Sequence, residues 1–261
     1  MNTIVCLKQV VDPELPQWDF AIDPATKRQV RTGKPLVIST YDENALELAL
    51  QLKDKAGGKV TALTIGPAGE VKDAIRLALA MGADEAVVVD DATAPVLLGA
   101  DKAAILAAAV KRIGTYDLVL TGCESADWVE RSVAPFLAEA LGAACVTFVT
   151  KLDPGQGSVT ARRTSEEGFH VIEARLPAVM SVTSDESIRP RLPKVKDIMG
   201  AMRKPVQNWA RSDVAAEAVS SPVEVREVSV PQRTTKCEFL DGEPAQQAQA
   251  LIEKLQSLKL I

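Results

Sequence analysis

Aromatic residues make up only 4% of this 261-residue chain, so the stacking platforms of single-strand binders have little raw material. Positive charge is not in excess either. Thirty lysines and arginines stand against 35 aspartates and glutamates, and the net charge of -5 argues against nucleic acid as a partner. The single histidine, His170, falls inside a predicted hairpin and reads as a strand residue without catalytic duty. HExxH, GxSxG and Walker patterns are missing, and no metal-ligand cluster is present. After the first strand, "LKQVVDPELP" stands where a glycine-rich GxGxxG turn would be. The four cysteines (Cys6, Cys123, Cys145, Cys237) lack CxxC spacing and read as reduced thiols of a cytosolic protein. Cys123 follows a strand end, but no base lies nearby in the sequence to activate it. No apolar run reaches transmembrane length, and "MNTIVCLKQVV" turns charged at Lys8, too early for a secretory signal. The expectation is a cytoplasmic protein with no direct membrane insertion, no catalytic residue and no metal site.

What is present is a regular alternation of strands and helices. "TIVCLKQV" reads as a strand; "YDENALELALQLKDKAG" reads as a helix, with Ala45, Leu46, Leu48, Ala49 and Leu52 at helical spacing. "KVTALTIG", "EAVVVD", "YDLVLTG" and "ACVTFVTKL" read as strands, separated by helices at "EVKDAIRLALAMG", "DKAAILAAAVKRIG" and "SVAPFLAEALG". Near-continuous apolar strands between amphipathic helices predict an α/β, doubly wound, mainly parallel sheet with helices on both faces.

After Lys151 the rhythm changes. "SVTARRTSEEG" and "FHVIEARLPAVMSVT" predict an antiparallel hairpin about Glu166 to Gly168 and one more sheet strand. The tract from Pro205 to Pro231 has sparse apolar residues without a period and reads as an extended arm. "EPAQQAQALIEKLQSLKLI" then predicts an amphipathic helix with Ala248, Leu251, Ile252, Leu255 and Leu258 on one face. That face is buried either on the chain's own domain or on a partner subunit.

In a doubly wound sheet, ligands bind beyond the carboxyl ends of the strands, at helix N-termini. Three polar loops fall there: "ISTYDE" (Ile38 to Glu43), "TIGPAGE" (Thr64 to Glu70) and "LTGCESADWVERSVAP" (Leu120 to Pro135). Together they make a nucleotide site the main candidate.

These stretches, in this order, resemble the β subunit of an electron transfer flavoprotein over nearly the whole chain. "VCLKQVVDPE" is similar to the family's opening strand and lysine-bearing loop, and "STYDENALELALQLKD" to its next loop and helix. "LTIGPAGEVKDAIRLALAMGADEAVVV" is the most diagnostic stretch, and "LPAVMSVTSDESIRPRLPKVKDIMGAMRKPVQNW" resembles the late strand and partner-recognition segment. The resemblance implies a heterodimer with a larger α subunit and FAD at the junction. Electrons are taken from acyl-CoA-type dehydrogenases and passed onward, a quinone oxidoreductase being one candidate acceptor. It also implies AMP, or in electron-bifurcating members a second FAD, held by the β subunit itself. Carried over by position, Cys6, Ser39, Thr40, Tyr41, Asp42, Ile65 and Gly66 face the adenosine. The loop from Gly122 to Val133, with Cys123, Asp127, Arg131 and Ser132, faces the phosphate.

That loop departs from the family pattern. Asp127 remains, but Glu130 stands for a threonine, Ser132 for a glutamine and Ala134 for a glycine. An added carboxylate and lost donors weaken anion binding, which puts AMP ahead of a second FAD. The resemblance also makes residues 1–204 the nucleotide-binding domain and 205–261 an arm and helix that contact the α subunit. Within the segment 190–204, Val195 is implied as the apolar plug of a dehydrogenase pocket, with Ile198 and Met199 beside it. Lys194, Lys196, Arg203 and Lys204 then surround it with positive charge. The alternatives are a basic loop whose valine packs locally, an AMP-binding regulatory module, and a purely structural subunit.

Overall fold

Strand β1 (Thr3–Cys6) is buried at all 4 of its positions, as befits a strand covered on both faces. The computed structural model, which describes residues 1–214, 223–230 and 237–261, places it in the middle of a nine-stranded sheet. The sequence predicts one strand continuing to Val10; the chain instead leaves the sheet after Cys6. Strand β2 (Gln9–Val11) then belongs to a separate antiparallel ladder. The break has a local cause, because the Lys8 N–H donates to the Asp42 carboxylate at 2.8 Å rather than to a sheet neighbour. A short hairpin of β3 (Ile22–Asp23) and β4 (Arg28–Gln29) follows, and β5 (Leu36–Ile38) closes the ladder against β2.

From there the elements follow the apolar periodicity. They are α1 (Thr40–Ala56), β6 (Val60–Gly66), α2 (Lys72–Met81), β7 (Glu85–Asp90), α3 (Gly99–Ile113), β8 (Leu118–Gly122) and α4 (Val133–Leu141). Strands β8, β1, β6 and β7 lie side by side in that order, all parallel. The chain winds outward from β1 through β6 to β7, and α3 then returns it to β8 on the other side of β1. The winding therefore reverses between β1 and β8.

Two cores result. Leu46 and Leu50 of α1 with Ile75 and Leu79 of α2 pack on Val5, Leu118 and Leu120. Ile105 and Val110 of α3 with Leu137 of α4 pack on Ile4 and Val119. Adjacent residues of one strand thus serve opposite faces, which is why the strands must be apolar at every position. Each such side chain contributes roughly 1.5–3 kcal/mol on burial.

The second half of the sheet is mixed. Strand β9 (Ala144–Pro154) runs on into β10 (Ser158–Ser165) and β11 (Gly168–Arg175), an antiparallel meander with the predicted hairpin. Strand β12 (Ala178–Val182) then inserts between β9 and β8, parallel to both. Beyond it lies a short helix, α5 (Val195–Ala201).

The tract expected to be an arm from Pro205 begins differently. Strand β13 (Val206–Ala210) pairs parallel with β7 as the sheet's edge, followed by one helical turn, α6 (Arg211–Val214). Only Trp209 of β13 is buried, with the Arg112 guanidinium 4.4 Å over its ring. An edge strand with one buried side chain leaves no apolar run to read. The chain divides into compact units at Met1–Val228 and Ser229–Ile261, so the boundary expected at 204/205 falls inside the first. The expected arm's residues at 215–222 and 231 lie outside the described residues. In the second unit, α7 (Pro244–Ser257) forms as predicted and none of its residues is buried. Among the described residues no helix is long and apolar enough to cross a membrane.

Lys204, expected in the charged ring around Val195, is turned inward instead. Its ammonium donates to the carbonyls of Leu79 at 2.7 Å and Ala83 at 2.6 Å, closing the C-terminal end of α2. Lys204→Met should lower stability by roughly 1–2 kcal/mol, since it strands two acceptors at a helix C-terminus. Urea unfolding beside the exposed control Lys196→Met reads this; equal midpoints for the two variants would reject it.

Candidate functional site

Beyond the C-terminal ends of β1, β6 and β8, where the winding reverses, a cavity of about 310 Å³ opens. Its place is the one general to ligand sites in open α/β sheets, and its size is that of small-molecule pockets. Of the expected nucleotide residues, Cys6, Asp42, Ile65, Gly66, Gly122, Cys123, Asp127, Arg131, Ser132 and Val133 line it. Ser39, Thr40 and Tyr41 stand outside the lining. Ser39 is buried and its hydroxyl accepts from the Ala126 N–H at 3.1 Å, so it holds the neighbouring loop. Thr40 is exposed on the first turn of α1.

Asp42 does not offer its carboxylate to the cavity. One oxygen accepts the Gly122 N–H at 2.8 Å and the other accepts the Lys8 N–H at 2.8 Å. The end of β8 and the exit of β1 are thereby tied to the first turn of α1. Burial pushes the Asp42 carboxyl up to about 7, against these two donors and the Lys8 charge. Gly122 is required by the contact, because a Cβ there would lie 2.6 Å from the Asp42 Oδ1.

The loop after β8 is knitted by its own charges. Lys8 Nζ pairs with Asp127 at 2.6 Å and donates to the Ser125 hydroxyl at 3.3 Å. Arg131 pairs with Glu124, so its charge is spent within the loop rather than on a ligand. Glu130 Oε1 accepts the Gly99 N–H at 2.7 Å and the Ser132 hydroxyl at 3.1 Å. Val129 and Arg131, on either side of Glu130, hold left-handed φ angles of 53° and 56°. Burial raises the Cys6 and Cys123 thiols above their ordinary values, which keeps both protonated.

Several lining residues escaped the sequence reading. The β3–β4 hairpin and its flanks bring Phe20, Ile22, Arg28 and Arg31 onto the cavity, both arginines pairing with Glu70. The turn in "FAIDPATKRQV" was the available signal. Lys102 of α3 also lines the cavity, and burial, with Lys8 beside it, lowers its ammonium to about 8. Gln9 lines it too. Its buried carbonyl accepts the Ala74 N–H at 2.7 Å, while its amide nitrogen has no partner among the described residues.

The segment around Val195 makes a second surface. Arg191 grips Glu47 of α1 with bonds of 2.9 and 3.1 Å and reaches Asp54 at 2.9 Å. With Lys204 fixed on α2, the short helix α5 is clamped at both ends. Between the clamps Val195 is 76% exposed and Met199 67%, with Ile198 also exposed. Lys194 precedes the helix and donates its backbone N–H to Asp197 at 3.1 Å, while Lys196 faces solvent. Local packing does not account for Val195.

Burial raises the Asp127 carboxyl, but the Lys8 ammonium and the Ser125 hydroxyl pull it further the other way, below its ordinary value. A lowered folded-state value means stabilisation that is present above the unfolded value near pH 4 and is lost as pH falls through the folded one. Asp127→Asn should therefore cost about 1 kcal/mol at pH 7, and the gap to the parent chain should shrink on acidification below about pH 4. Denaturant unfolding across that range measures it; a gap that stays constant or widens would dismiss the ion pair as a stabilising element.

The profile of the electron transfer flavoprotein domain matches residues 28–214. The electron transfer flavoprotein subunit beta of Clostridium acetobutylicum is 35% identical over 263 residues, covering 98% of each chain. Its counterpart from Thermoanaerobacterium thermosaccharolyticum is 34% identical over 269 residues, covering 100% of both. The caffeyl-CoA reductase-Etf complex subunit CarD of Acetobacterium woodii is 32% identical over 271 residues, again covering 100% of both. With the doubly wound sheet and the cavity at its reversal, these relationships establish that the chain belongs to the electron transfer flavoprotein family, among its β subunits.

Proposed function

We propose that this chain pairs with an electron transfer flavoprotein α subunit and helps hold FAD at the junction. In this reading the pair takes electrons from an acyl-CoA-type dehydrogenase and hands them to a further acceptor, for instance a quinone oxidoreductase. The bound flavin would supply the redox chemistry. The chain's own residues bind, orient and dock. The reading is carried by end-to-end relatedness to β subunits of this family, joined to a cavity at the sheet's reversal. That cavity, in our reading, takes the adenosine end that AMP and FAD share, against Ile65, Gly66 and Cys6. The C-terminal helix α7, with no buried residue, supplies a face for the α subunit. Production of the full chain together with its α partner should yield a yellow heterodimer, and deletion from Ser229 onward should lower the yield. A colourless pair, or none, would refute the carrier role.

Docking of the dehydrogenase falls to α5. A valine held out on a clamped helix, with Ile198, Met199 and the basic Lys194 and Lys196 around it, suits an apolar pocket rimmed by acids. Burying such an anchor contributes roughly 1.5–3 kcal/mol, so Val195→Glu should weaken the dehydrogenase complex by about tenfold or more. Flavin content and spectrum should not change, since Val195 stands outside the cavity lining. Stopped-flow reduction of the heterodimer over a range of dehydrogenase concentrations reads the difference. An unaltered concentration dependence would remove this surface from the docking site.

A further inference from the structure

The loop after β8 carries an anion of its own. The carboxylate of Glu130 sits at the N-terminus of α3, where it accepts the first N–H, from Gly99, at 2.7 Å. It also accepts the hydroxyl of Ser132, the residue that caps α4, at 3.1 Å. The backbone is shaped around this contact. A Cβ on Gly99 would lie 1.9 Å from the Ser132 Oγ and 2.9 Å from the Glu130 Oε1, so a side chain there would displace both groups. Glu130 is held there by neighbours in left-handed backbone, one of them the β-branched Val129, a conformation that persists only where the surroundings over-determine it.

Helix N-termini are where a phosphate docks, because their N–H groups and dipoles favour negative charge. Here that position is already filled from within the chain. We infer that Glu130 is a specificity-determining residue that shuts ligand phosphate out of the α3–α4 position, so that the cavity recognises the nucleoside part of its ligand and gains nothing from a phosphate there. This rests on the adenosine-binding reading above. The other charges of the cavity do not restore a phosphate place. Lys8 is paired with Asp127, Arg131 with Glu124, and Arg28 and Arg31 with Glu70. Lys102 makes no ion pair among the described residues, but Glu130, Asp127 and Asp101 all act on its charge.

Calorimetric titration of the full chain, purified with its α partner and dialysed free of nucleotide, provides the test, with adenosine and AMP as probes. The parent protein should bind adenosine at least as tightly as AMP. Glu130→Gln keeps an oxygen for the Gly99 N–H but removes the charge. It should tighten AMP by about tenfold or more, from relief of carboxylate–phosphate repulsion, and leave adenosine within about threefold. Glu130→Ala, which vacates the position, should act the same way. A parent protein that prefers AMP by tenfold, or a variant that shifts both probes alike, overturns the role of Glu130 while leaving the nucleotide site standing. Failure of both probes to bind every form overturns the nucleotide reading and this inference with it.

Discussion

The carboxylate of Asp42 is the contact on which the site depends. It takes a backbone N–H from the exit of β1 and another from the end of β8, the strands between which the winding reverses. A buried carboxylate without donors would cost several kcal/mol; with both oxygens used, the same group becomes a tie between elements far apart in sequence. The tie also explains the departure of β2 from the main sheet. Once the Lys8 N–H turns to Asp42, the strand cannot continue its ladder, and the chain is released to build the hairpin that covers the cavity.

Around that tie the charges are matched internally. Lys8 with Asp127, Arg131 with Glu124, and Arg28 and Arg31 with Glu70 set the loop and the hairpin before any ligand arrives. Such an arrangement lowers the ordering cost of binding, because few side chains have to be immobilised. The same device recurs on α5 for a different end. Arg191 on Glu47 and Lys204 on the end of α2 pin the chain on either side of the helix and leave its apolar side chains outward. Ion pairs between loop and hairpin residues thus fix the walls of the cavity, while Arg191 and Lys204 fix the exposed helix against α1 and α2.

How much of this was legible varies with how local the signal is. The helices α1 to α4 and the strands between them follow from period, because each must bury a continuous face. Strand β13 was hidden, since an edge strand carrying one buried tryptophan has no period to detect. Cys6, Ile65, Gly66 and the loop from Gly122, singled out in the sequence, line one cavity because strand ends in this fold converge on one place. Ser39 and Arg131 lie on loops at the strand ends, yet their polar atoms are engaged by Ala126 and Glu124. Lys204 was counted among surface charges because sequence gives its neighbours along the chain and not the carbonyls of a helix over a hundred positions away.

By itself the sequence determined the class of fold, the alternation of strands and helices along the chain, the polar loops at the strand ends and the membership implied by its long motifs. These depend on burial patterns that repeat every two or 3.6 residues and so are written along the chain. Only the tertiary structure decided what each polar group does: that Asp42 binds backbone, that Glu130 takes the first N–H of α3, that Lys204 faces inward and Val195 outward. A hydrogen bond is satisfied by whichever partner lies within about 3 Å, and that distance is set by how sheet, loop and helix meet in space.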